Sequence, residues 1–73
     1  MSGQVTVYIA RPTTERGRWR VTCAERPVEE LLDHDTAINH AVTYARMMET
    51  AGKAVVVKIE RPDGSWVVYG GRG

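Results

Sequence analysis

Apolar residues occupy every second position in two segments near the start of the chain: Val5, Val7 and Ile9, then Trp19, Val21 and Cys23. A period of two residues is typical of a half-buried β-strand. Arg11-Pro12 ends the first segment, because proline lacks the N–H group that a β-ladder needs. Thr13 to Gly17 then form a polar loop. The pattern predicts a β-hairpin over residues 4–24.

A helical period follows, in which apolar residues recur every three or four positions. These residues are Ala37, Ile38, Ala41, Ala45 and Met48. Asp33 is suited to the N-cap, because its carboxylate can accept hydrogen bonds from the free N–H groups of the first turn. Gly52 is suited to the position just after the last turn. We therefore predict a helix over residues 34–51.

The last third of the chain repeats the pattern of the first. Ile9-Ala10-Arg11-Pro12 corresponds to Ile59-Glu60-Arg61-Pro62, and in both copies a glycine precedes a strand that begins near a tryptophan. Pro62-Asp63-Gly64 is a strong turn signal, since proline presets φ and glycine accepts a positive φ. This predicts a second hairpin over residues 54–69, followed by a flexible tail over residues 70–73.

The predicted element order is ββαββ, which places the chain in the α+β class. We expect one antiparallel four-stranded sheet with a single helix packed on one face. Residues 25–33 contain three acidic residues before the Asp33 cap and are predicted to form an acidic connector. At 73 residues the chain has the length of one small domain, residues 1–73.

Composition and charge favour no class of partner. The formal net charge is +1, and the single Cys23 excludes an internal disulfide. The N-terminal residues lack the pattern of a signal peptide, and the apolar run Ala54 to Val57 is too short to cross a membrane. We expect a cytoplasmic protein without a membrane partner.

Candidate catalytic groups have simpler structural explanations. Asp33-His34-Asp35 places an imidazole beside carboxylates, yet two acids at this point are what helix capping requires. His40 follows His34 by six positions, on a different face of the helix. Cys23 is in phase with Val21, which predicts a buried thiol. We therefore expect no enzyme activity, no metal site and no cofactor.

Several of these features together resemble a known family. Gly17-Arg18-Trp19-Arg20-Val21, the Ala37-Ile38 helix start, and Asp63-Gly64 before a final strand resemble the small bacterial domains of unknown function grouped as DUF2188. The resemblance covers roughly residues 17 to 69. It implies the same ββαββ fold and no functional residue, since that family has no established activity. The acidic connector departs from it, because those domains usually pass quickly to their helix.

The sheet face away from the helix is the one large candidate surface. The strand periods place polar, basic and aromatic residues and one valine on it: Thr6, Tyr8, Arg18, Arg20, Thr22, Val56 and Lys58. Trp66 joins them if the second hairpin has a three-residue loop, which pairs Ile59 with Val67. A two-residue loop would bury Trp66 instead, because a slip of one residue moves every side chain to the other face.

Two functions fit this face. The first is protein contact by a small non-enzymatic interaction module, with homodimerisation through this face or through an edge strand as the expected form. The alternative is binding of single-stranded nucleic acid, in which Arg18, Arg20 and Lys58 contact phosphates while Tyr8 or Trp66 stacks on bases. The net charge of +1 speaks against the alternative, because binding to a phosphate backbone usually needs a clear basic excess.

Overall fold

The structure is a computed structural model that describes residues 4–23 and 27–69. Five strands and one helix make up its elements: β1 (Gln4–Ala10), β2 (Trp19–Cys23), β3 (Glu29–Leu31), α1 (His34–Thr50), β4 (Ala54–Glu60) and β5 (Trp66–Val68). The strands form one sheet in the order β3-β2-β1-β4-β5. The predicted α+β class is confirmed. The predicted tail over residues 70–73 lies outside the described residues.

The prediction of four antiparallel strands is wrong in both number and direction. The sheet has five strands, and its two central strands, β1 and β4, run parallel. The cause is β3, which pairs antiparallel with β2 and thus reverses the chain once more before the helix. Helix α1 then crosses over the sheet and returns the chain to the starting end of β1, as a connection between parallel strands must.

Strand β3 lies inside the segment that the sequence predicts as an acidic connector. Its three residues pair with β2 so that Glu29 lies opposite Val21, and Leu31 opposite Trp19. The connector is therefore partly an edge strand. Its residues 25 and 26 lie outside the part of the chain that the structure describes.

The helix begins at the residue that its capping signal indicates and ends within one residue of the predicted end. The Asp33 carboxylate accepts a hydrogen bond from the Thr36 N–H at 2.8 Å. This bond holds the pKa of Asp33 below its usual 3.8. At the other end, Gly52 has φ +91° and its N–H donates to the Glu49 carbonyl. The helix ends at Thr50, one residue earlier than predicted.

The core lies between α1 and one face of the sheet. Val7 and Ile9 of β1 are fully buried, because β1 is the central strand under the helix. The rest of the buried cluster comes from β2 and the helix: Val21, Cys23, Ala37, Ile38 and Ala41. Small alanine side chains let the helix approach the sheet closely. Because the one helix covers one face only, the described elements leave the opposite sheet face open to solvent.

Candidate functional site: the open face of the sheet

The loop of the second hairpin decides where Trp66 points. The Gly64 N–H donates to the Arg61 carbonyl at 2.9 Å, and the Arg61 N–H donates to the Ser65 carbonyl at 2.7 Å. Gly64 has φ +90°, as the last residue of such a three-residue loop requires. The resulting register pairs Glu60 with Trp66. The three-residue alternative is therefore correct, and Trp66 points away from the helix.

The other tryptophan lies on the helix side of the sheet. Trp19 is paired with Leu31 and packs against the core. The Arg11 guanidinium lies 5.5 Å from the centre of its ring, and the His34 ring meets it edge-on at 5.1 Å. Trp19 is thus flanked by Arg11 just after β1, by Leu31 of β3 and by His34 at the start of α1. It is therefore unavailable to a partner on the other face.

We use the name open face for the strand positions that point away from α1. By the register of the sheet, they are Gln4, Thr6, Tyr8, Ala10, Arg20, Thr22, Glu30, Ala54, Val56, Lys58, Glu60, Trp66 and Val68. At its centre Tyr8 and Trp66 contact each other across β4, with ring centres 5.3 Å apart and ring planes at 81°. Both residues remain exposed, Tyr8 at 41% and Trp66 at 42%, and Val68 beside them is 54% exposed.

The charges of the open face balance one another. Arg20 lies opposite Glu30 in the β2–β3 pair, and Lys58 precedes Glu60 by two positions on β4. The Glu60 carboxylate also accepts a hydrogen bond from the Arg11 backbone N–H at 2.9 Å. Within the described strands, this face therefore carries two basic and two acidic side chains.

The structure brings three of the five predicted surface residues together. Tyr8 and Lys58 are partners in the parallel β1–β4 pair, and Trp66 contacts Tyr8. Arg20 lies two strands away from Lys58, which is roughly 10 Å at the usual strand spacing. Arg18 is exposed but precedes β2 and lies outside the sheet ladder.

Sequence reasoning missed the acidic half of this surface. The alternation of Glu60 with Ile59 could have placed Glu60 there, since both belong to a strand that was predicted. Glu30 had no such signal, because its position depends on β3. Both acids change the character of the face from basic to balanced.

The remaining candidate groups lie elsewhere. Asp33 is the helix cap, and His34 Nδ1 lies 3.1 Å from the Asp35 carboxylate at an exposed position. Cys23 is buried, as predicted. Among residues 4–23 and 27–69, no cluster of three or more His, Cys, Asp or Glu side chains could hold a metal ion. The same residues include no helix that is long and apolar enough to span a membrane.

Comparisons of the chain with protein-family models, with curated proteins and with solved structures each found no match. The resemblance to the DUF2188 domains therefore stays a prediction.

Proposed function

We propose that the protein is a small non-enzymatic interaction module whose open face binds a protein partner, and that this partner is a second copy of the chain. The observation that carries the proposal is the pair Tyr8 and Trp66, half-exposed beside Val68 on a face whose charges cancel. Covering these side chains removes apolar surface from water, which is the main favourable term in most protein association.

Sheet geometry favours a face-to-face dimer over edge-to-edge pairing. The two edge strands, β3 and β5, have three residues each. Short edge strands offer few free backbone groups to a second sheet. Two open faces packed about 10 Å apart would instead form a sandwich with the helices on the outside.

The charge pattern suits a two-fold interface. In such an interface the same patch meets itself, so every group needs a complement within that patch. The open face supplies both signs, with Arg20 and Lys58 against Glu30 and Glu60. A second copy can therefore place each charge opposite its complement, whereas a patch of one sign would repel its own copy.

Single-stranded nucleic acid is the alternative ligand of the same face. Its support is the exposed Trp66 ring near Lys58, an arrangement that could stack a base and hold a phosphate. Glu30 and Glu60 oppose it, because a phosphate backbone would pass close to both carboxylates. The balance of charge therefore favours the protein partner.

Light scattering over a concentration series tests the dimer. We expect the wild-type mass to rise towards twice the monomer mass at high concentration, and Val68→Lys to stay monomeric. Met47→Lys is the matched control, since Met47 is 64% exposed and belongs to helix α1, on the other side of the sheet. A wild-type monomer at every concentration, or equal behaviour of the two variants, would contradict the proposal.

A separate titration tests the alternative. Fluorescence anisotropy with a labelled single-stranded RNA at low salt should show weak binding that Lys58→Gln leaves unchanged, with Arg46→Gln on the exposed helix surface as control. Binding that weakens steeply with salt and with Lys58→Gln, but not with Arg46→Gln, would move the assignment to nucleic acid.

A further inference from the structure

A pocket of about 170 Å³ lies on the helix side of the sheet, where the helix passes over β2 and β3. Its lining comes from these elements and the chain before β3: Val21, Cys23, Pro27, Glu29, His40, Thr43, Tyr44 and Met47. It is separate from the open face, because Val21 and Cys23 point towards α1 while Arg20 and Thr22 point away. Nothing in the proposed dimer would cover it.

The inner wall of the pocket is apolar. Val21 and Cys23 belong to the buried core, and the Cys23 thiol donates a weak hydrogen bond to the Tyr44 hydroxyl at 3.6 Å. Met47 is 64% exposed and borders the pocket with a flexible thioether chain. An apolar protein cavity of roughly 150 Å³ can accept benzene. The pocket therefore has the size for one aromatic ring.

Among the described residues that line the pocket, one carries a negative charge, Glu29 on the outer wall. Glu29 lies opposite Val21 in the β2–β3 pair, so its side chain is on the helix side of the sheet, whereas that of Glu30 is on the open face. Within residues 4–23 and 27–69, Glu29 has no ion-pair partner, and it is exposed. His40 and Thr43, on the same helix face, add groups that can hydrogen-bond a polar ligand.

We propose that this pocket binds a small amine that carries one aromatic ring. The ring would lie against Val21, Cys23 and Met47, and the ammonium group would reach the Glu29 carboxylate. An anionic ligand of the same shape would be repelled by the Glu29 carboxylate. Apolar walls with a few polar groups that fix orientation are the usual composition of small-molecule sites.

Cys23 provides a direct readout, because it is the only cysteine of the chain and lies in the pocket wall. We would measure the rate at which methyl methanethiolsulfonate modifies Cys23 at about pH 8, because the thiolate is the reactive form of a thiol. Phenethylamine should slow the reaction with a saturable concentration dependence, while 3-phenylpropionate should protect far less. The shift of the Met47 methyl resonance gives the same affinity without modification.

Glu29→Gln and Glu30→Gln form a matched pair on one strand. Neutralising Glu29 should weaken phenethylamine binding about fivefold, the size expected for a partly exposed ion pair, and Glu30→Gln should leave it unchanged. Circular dichroism would confirm that both variants fold. Equal effects of the two variants, equal protection by amine and acid, or no protection by either probe would each overturn the proposal.

Discussion

The two hairpins share a sequence pattern but send their tryptophans to opposite faces of the sheet. Trp19 packs on the helix side against Arg11, whereas Trp66 is on the open face against Tyr8. Trp19 follows Arg11 by eight positions, and Trp66 follows Arg61 by five. In both hairpins, two residues separated by an even number of positions along the chain lie on the same face of the sheet. Two residues separated by an odd number lie on opposite faces.

This difference separates two roles that the sequence pattern presents as one. The first tryptophan packs at the end of the core, and the second is exposed on the open face, where we propose that a partner binds. A motif repeated within a chain therefore need not repeat its function, because one residue of spacing decides whether a side chain stabilises the fold or faces solvent. Three predictions sharpen this comparison.

The largest expected effect comes from removing each tryptophan in turn. We expect Trp19→Ala to lower the free energy of unfolding by about 2 to 3 kcal/mol, because it leaves a void beside the core and frees Arg11 from its ring. Trp66→Ala should cost under about 1 kcal/mol in dilute solution, since 42% of Trp66 is already exposed. Chemical denaturation at low protein concentration measures both.

The same denaturation experiment has a clear contrary result. Equal losses for the two variants would mean that Trp66 supports the monomer fold as much as Trp19 does. In that case, the separation of roles between the hairpins would be wrong.

The glycine in each hairpin loop should respond differently to substitution. Gly64 has φ +90° with open space around it, so Gly64→Ala should cost about 1 to 2 kcal/mol and Gly64→Asn less. At Gly17, an added Cβ would meet Pro12 and Thr14 at 3.1 Å, so the cost there is steric. Gly17→Asn should therefore be no better than Gly17→Ala. Thermal unfolding of the four variants checks this, and a benefit of Asn at both sites would contradict it.

The smallest effect is a pH dependence carried by the second hairpin and the helix cap. The Ser65 hydroxyl and backbone N–H donate to the Asp63 carboxylate at 2.7 and 2.9 Å and lower the pKa of Asp63, as Thr36 does for Asp33. A carboxyl whose pKa is lower in the folded state than in the unfolded state stabilises the fold. This contribution is fully present at pH values above the unfolded-state pKa, near 3.8, and is lost as the pH falls through the folded-state pKa.

Melting temperatures between about pH 5 and pH 2 would reveal this contribution. Asp63→Asn and Asp33→Asn should each reduce the fall of the melting temperature at acid pH. The first hairpin loop has no carboxylate in such a turn among the described residues, so Glu15→Gln is the control and should leave the curve unchanged. If the variant with both substitutions lost as much stability in acid as the wild type, these two carboxylates could not be the source of the pH dependence.

Periodicity predicted every element whose residues alternate or recur with a clear period. Strand β3 was missed because Glu29-Glu30-Leu31 is short, poor in β-branched residues, and supported by its pairing with β2 rather than by its own pattern. That single omission explains the wrong strand number, the wrong direction of β4 and the missing Glu30 on the open face. The side of the sheet on which Trp66 lies depends on the length of the second hairpin loop, which the hydrogen bonds of Arg61 fix at three residues. The sequence alone is compatible with either a two-residue or a three-residue loop.

The parallel pairing of β1 and β4 has a consequence for the order of folding. Residues at the centre of the sheet, such as Val5 and Val55, are neighbours in space although fifty positions separate them along the chain. Neither hairpin can bury its apolar side alone, because β1 needs β4 beside it and α1 above it. Contacts of such long sequence separation slow folding. We therefore expect a nascent chain to remain without a native core until residues 54–60 have left the ribosome.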